Sequence, residues 1–373
     1  MSRQGGDREL GYRVIRAGDP LGAFLGAEVG RGAMPGAAWW VGDARGAIAA
    51  GVIGHAVIRP DVVPLVKDTP FDLASLTKPL ATALLATILD REGRLRLETP
   101  MGEIFPELRE SSFGAATLRD AAAHRAGLPA WVALYVAETT REGYVKAIAA
   151  CERQGATGET LYSDLGYILL GFAVEKAAGA PLDRLFAERI ARPLNLARCG
   201  FAGRSGLFAD AAATERGTAH ERALAGPSAR GDRFRSEIPR GEVHDGNAWG
   251  LGGVAGHAGL FGTAADVAAI ALAILDPTRI GLDPGALDPM LRPVEEGPGI
   301  RTVGFVRAID TESVRGVLPG DAVGHWGFTG TSLWIDVARP RVYVLLTHRV
   351  HPRVPQDPFT ATRRGFHSLA AGL

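Results

Sequence analysis

A hydroxyl and an amine stand three residues apart in the run Ser75-Leu76-Thr77-Lys78, where an apolar stretch of helical periodicity begins. At that spacing both side chains leave one face of a helix within reach of each other. A serine hydroxyl is a weak nucleophile at neutral pH and needs a base, while a helix N-terminus favours the negative charge that grows during attack. Lysine usage strengthens the reading: the 41 basic residues include only four lysines, Lys67, Lys78, Lys146 and Lys176. A guanidinium cannot give up its proton but a partly buried amine can, so proton transfer beside Ser75 calls for lysine. The bland alternative is a lysine snorkelling from a helix. Two further sets are commonplace when taken singly. Tyr162-Ser163-Asp164 precedes a helical run, which places Tyr162 on a loop and Ser163 or Asp164 at a cap. His325-Trp326-Gly327 begins an expected strand through GFTGTSLWID, where Gly327 lets a ligand approach the backbone.

The elements that must position these residues follow from periodicity. Residues 37–52 read as two strand-length apolar runs around a Gly42 to Gly46 turn, and 327–336 with 341–347 flank a proline-containing turn, so each pair predicts a hairpin. Between them, 76–91, 118–124, 142–153, 165–178, 182–190 and 264–275 carry Ala and Leu at helical spacing. Thr263 followed by Asp266 predicts a capping pair for the last. The fold class expected is α/β of the α+β kind: an antiparallel sheet from both ends of the chain, flanked by helices, with a mostly helical subdomain inserted. One domain over 1–373 then divides into a sheet subdomain (1–80 plus 264–373) and a helical one (81–263), with the active site at their seam. Residues 202–247, rich in Gly, Arg, Ala and Asp, predict a long surface excursion.

Taken together, in this order and these contexts, the three sets resemble the active-site motifs of the penicillin-recognising serine hydrolases, comprising class C beta-lactamases, D-alanyl-D-alanine peptidases and related esterases. FDLASLTKPL, GRLRLETPMGEIFPEL, TLRDAAAHRAGLP, YSDLGYILLG and HWGFTGTSLWID all look like family segments, and the resemblance spans Ala37 to Pro352. It implies that Ser75 forms an acyl-enzyme, Lys78 assists its deprotonation and Tyr162 carries the proton to the leaving group. It also implies an oxyanion pocket of the Ser75 and Phe328 backbone N–H groups. Two positions depart from the pattern. Asp164 stands where Asn is frequent, and a carboxylate there favours an ammonium at Lys78, which leaves Tyr162, its pKa lowered by that cation, as the expected base. His325 replaces the usual Lys, so its pull on a substrate carboxylate is expected to be weak and to grow as pH falls. Activated esters are therefore the favoured substrates, with Arg349 or Arg353 as alternative sources of positive charge.

The segment 241–261 resembles one found in a subset of these hydrolases, with His244, Asp245, Asn247 and His257 as polar wall groups. Hydrogen bonding within the loop is their expected role, and no metal is expected because acyl transfer by serine needs none. No cofactor is expected either, since no glycine-rich phosphate loop joins a strand to a helix. The 41 acidic residues cancel the 41 basic ones, which gives no field to draw nucleic acid or an anionic membrane and leaves a small or peptide-like substrate as the expected partner. Cys151 and Cys199 have no metal-ligand spacing, and with no apolar leader in the sequence a cytoplasmic location is expected. The competing reading is a non-catalytic sensor holding a cell-wall-like peptide or penicillin in the same cleft. An intact nucleophile with its proton carriers argues against it.

Overall fold

Two adjacent tryptophans, Trp39 and Trp40, lie on one strand and are both buried, so the sheet that holds them must be covered on both faces. The computed structural model describes residues 19–156, 158–203, 207–226, 233–293, 299 and 301–373. The strands of the large sheet are β1 (Gly36–Asp43), β2 (Gly46–Val57), β3 (Val63–Pro64), β4 (Val306–Arg307), β5 (Val323–Trp326), β6 (Ser332–Asp336) and β7 (Arg341–Thr347). Their spatial order is β3-β2-β1-β7-β6-β5-β4, antiparallel throughout. The two ends of the sequence meet at the centre, where Trp39 pairs with Leu345.

Period-2 alternation then sorts the side chains. Ala38, Trp40, Val342, Val344 and Leu346 join the larger core, against helix α4 (Ala264–Leu275). Trp39, Val41, Tyr343 and Leu345 join a second core closed by helices α1 (Pro20–Gly30) and α5 (Thr360–Ala371). Trp39 faces Gly51 across the strands and Trp334 faces Gly324; a Cβ on either glycine would come 2.4 or 2.3 Å from the opposing ring. Those indoles fit only over glycine.

The helices on the other side of the large core include α2 (Leu84–Arg91) and α3 (Asp164–Ala178), and Thr263 and Asp266 form the reciprocal capping box at the start of α4. A small sheet of Phe71–Asp72, Leu260–Gly262 and Gly200–Phe201, not foreseen from the sequence, ties the middle of the chain to the turn before Ser75. Two expectations are corrected. The run GFTGTSLWID is not one strand: β5 ends at Trp326, and residues 327–331 turn back into β6. Gly327 N–H donates to Thr331 O and Gly330, at φ 109, closes the turn, a conformation few other residues adopt. The described part of 202–247 is no surface excursion, because Phe208, Ala211, Phe234, Val243 and His244 are buried, and His220, Glu221, Leu224 and His244 line the cleft.

Candidate active site

Asp72 builds the turn that carries Ser75. Its buried carboxylate accepts from Ala74 N–H (2.9 Å) and His244 N–H (2.7 Å), and Ala74 takes the left-handed φ of 48°. That strained residue tips Ser75 into the cleft. Ser75 lies in a single tight turn, Ala74–Leu76, and Lys78 begins the wider-coiled π-helical stretch Lys78–Ala83 that runs into α2. On the facing element, Ser163 caps α3, Asp164 is its first residue and Tyr162 precedes the cap.

These elements bring four side chains together. Lys78 Nζ is 2.9 Å from Ser75 Oγ, 2.7 Å from Asp164 Oδ1 and 3.2 Å from the His257 carbonyl. Two hydrogen bonds and the ion pair with the Asp164 carboxylate suit the charged form of the amine. Burial opposes the charge on Lys78, but Asp164 and Tyr162 outweigh it and raise the amine above its ordinary pKa. The Tyr162 hydroxyl donates to Ser75 Oγ at 2.8 Å. The expected lowering of the Tyr162 pKa is not what the surroundings give: burial raises it by more than Lys78 pulls it down. The resting site is therefore an ammonium beside a neutral phenol, and it must lose one proton before it holds a base.

The third expected motif falls differently. His325 is buried on β5 behind Tyr162, ring centroids 6.0 Å apart, with Nδ1 2.8 Å from the Trp326 carbonyl. Burial, reinforced by Lys78 and Arg301, drives its pKa well below the ordinary value, so it is neutral and gains no charge through mildly acidic pH. It stands outside the cleft lining and offers no positive charge to a substrate carboxylate. Gly327 and Phe328 do line the cleft. A Cβ on Gly327 would lie 2.7 Å from Leu73 O and 3.2 Å from Ala74 Cβ, so the close approach it permits is to the nucleophile's own turn. The backbone N–H groups of Ser75 and Phe328 have no acceptor among the described residues and stay available for an oxyanion.

The cleft encloses about 390 Å³. Trp131, Leu224 and Phe328 give it an apolar wall, and Arg349 and Arg363 border the end near Pro358. Of the two arginines named from the sequence, Arg349 lines the cleft and Arg353 does not. Phe328 is held between His220 (5.1 Å) and His244 (5.5 Å). His244 also bonds Glu215, His257 bonds Asp245 at 2.7 Å, and Asn247 accepts from Tyr135 N–H, so the loop's polar groups bond to one another and to the neighbouring wall. His124 was missed. Its Nδ1 accepts from Ser163 N–H at 3.0 Å and its ring lies 4.5 Å from that of Tyr162, which fixes the tyrosine's loop. The one sequence sign was a lone histidine closing an apolar helix before Arg125-Ala126-Gly127.

A sequence model of the family described as Beta-lactamase matches residues 21–364. The chain belongs to the beta-lactamase family. Within that family it is 30% identical over 338 residues to a putative D-alanyl-D-alanine carboxypeptidase of Escherichia coli K12, covering 81% of this chain and 74% of the relative. It is also 30% identical over 312 residues to an N-acetylmuramyl-L-alanine amidase of Bacillus subtilis 168, covering 77% and 69%. The solved structure of EstCE1, a hydrolase with promiscuous acyltransferase activity, superposes with a TM-score of 0.73 at 20% identity, over 94% of this chain and 97% of that one. That likeness extends the beta-lactamase fold over nearly the whole chain.

Proposed function

We propose that this member of the beta-lactamase family is a serine hydrolase that turns over an ester, amide or beta-lactam through an acyl-enzyme on Ser75. The observation that carries the reading is the pair of hydrogen bonds converging on Ser75 Oγ, from Lys78 Nζ at 2.9 Å and Tyr162 Oη at 2.8 Å. Once the Lys78–Tyr162 pair has lost a proton, Ser75 Oγ passes its own to Tyr162 and bonds to the substrate carbonyl carbon. The carbonyl electron pair moves onto oxygen, between the Ser75 and Phe328 N–H groups. Collapse restores the carbonyl and breaks the bond to the leaving group, which takes the proton from Tyr162. Water repeats the sequence and frees the acid.

The expected ester preference depends on the weak, pH-dependent charge of a mostly neutral His325. With His325 neutral and buried and Arg349 bordering the cleft, substrates with a carboxylate fit as well as neutral esters. The named carboxypeptidase and amidase relatives support amide-bond substrates. Labelling by a fluorophosphonate and by a fluorescent penicillin, in wild type and Ser75→Ala, is the test. We expect covalent label in wild type and none in the variant, with unchanged thermal unfolding. A wild type that binds penicillin reversibly but takes no label would overturn the enzyme reading in favour of a sensor.

A further inference from the structure

Arg363, on α5 some forty residues of chain beyond the third motif, is a buried cation that the reaction scheme above leaves without a role. Among the described residues no carboxylate pairs with it, and its Nε has no acceptor. An unpaired buried guanidinium is costly, and a purely structural arginine is normally neutralised by an acid. What it does touch is specific. Nη2 donates to the Gly327 carbonyl at 2.9 Å and reaches the Thr331 carbonyl at 3.4 Å. Gly327 C=O and Phe328 N–H belong to one peptide unit, in which the two bonds point in opposite directions. A cation on the carbonyl oxygen draws electron density through that unit and makes the N–H on its far side a stronger donor.

We propose that Arg363 is a positioning residue for the oxyanion pocket: through the Gly327–Phe328 peptide its guanidinium aims the Phe328 N–H at the acyl oxygen and strengthens it. Gly330 N–H bonds the same carbonyl at 3.1 Å, so the turn has a neutral anchor of its own and the arginine adds charge to it. Arg349, in the same wall, makes its hydrogen bonds to the Phe328 and Asp357 carbonyls and leaves Gly327 O to Arg363.

The inference rests on the acyl-enzyme reading, and the experiment separates the two. Arg363→Gln and Arg363→Lys are compared with wild type, each normalised by the endpoint of fluorophosphonate labelling so that only folded, competent sites count. On a neutral p-nitrophenyl ester, kcat should fall about 10-fold in Arg363→Gln, below the 10²–10³ of deleting an oxyanion donor outright, with KM unchanged and partial recovery in Arg363→Lys. Phenylboronic acid, which becomes a tetrahedral anion on the serine, should lose affinity by the same factor as kcat/KM. A wild type that takes no label would sink the acyl-enzyme reading itself. Labelled variants with wild-type kcat and boronate affinity would sink the inference alone, and a loss seen only with carboxylate-bearing esters would make Arg363 a substrate reader instead.

Discussion

Three acceptors around the Lys78 ammonium, with a neutral phenol beside it, set the sign of pH control. Both the amine and the phenol hold their protons more tightly than usual, yet Ser75 can pass its proton on only after the pair has lost one. The competent fraction therefore grows with pH, about tenfold per unit while both groups stay below their pKa values. We expect kcat/KM for a neutral ester to be rising still at alkaline pH. Asp164→Asn removes the charge that sustains the ammonium, so the rising limb should move to lower pH; a limb that stays in place would show that Asp164 does not hold the proton. At the cleft end, Arg349→Ala should lower kcat/KM for a carboxylate-bearing substrate while sparing a neutral ester. A partly desolvated charge-assisted hydrogen bond of about 1.5–3 kcal/mol corresponds to roughly 10- to 150-fold. Equal losses on both substrates would exclude carboxylate recognition at this position.

The turn between β5 and β6 is the element on which the site's geometry depends, since it carries the Phe328 N–H and touches the Ser75 turn at Gly327. Gly327→Ala would drive a methyl to 2.2 Å from Thr331 Oγ1 and 2.7 Å from Leu73 O. We expect acylation to fall steeply and unfolding free energy to drop by about 1–3 kcal/mol, the ordinary cost of overpacking. A variant with normal burst kinetics would mean the turn can shift without moving the oxyanion pocket. This element also marks how far sequence reading goes. The hairpin of β1 and β2 and the capped start of α4 were legible because period-2 alternation and a Thr-x-x-Asp pair act locally. Ser75 and Lys78 were legible from their spacing at a helix start, and Tyr162 and Asp164 joined them only through the resemblance to a known family. The break after Trp326 was not, since strand-forming residues on either side of Gly327 and Gly330 conceal the reversal made there. Nor was the burial of His325, the role of His124 or the closing of the second core by α1 and α5, because these depend on tertiary neighbours and not on local order.

Across the whole molecule, several imidazoles are locked away from water. Burial pushes His348 and His367 down to about 3, and His124 and His325 are also driven well below their ordinary value. Unfolding releases them to titrate near pH 6.5, so below that pH the unfolded chain binds protons that the folded one refuses. Each such histidine removes up to about 1.4 kcal/mol of stability per pH unit between its unfolded and folded values. His244 and the buried carboxylates Asp72, Glu175, Glu221 and Asp266, held above their ordinary values, work the other way, so the test is by difference. Between pH 7 and pH 5.5 the midpoint of thermal unfolding should fall less steeply in His348→Gln than in wild type, and an unchanged slope would contradict a neutral buried imidazole there. The central pairing of β1 with β7 has a different kind of consequence. A ribosome that has made the Ser75 segment has delivered that serine without its sheet, because the central partner strand is still about 270 residues of synthesis away by the count from Ser75 to Val344. Helix α5, which supplies Arg363 and closes the second core, emerges later still. Translation thus acts as a safety catch: a chain cut short before β5 carries the serine and lysine but has neither the Phe328 N–H nor the central partner strand of the sheet.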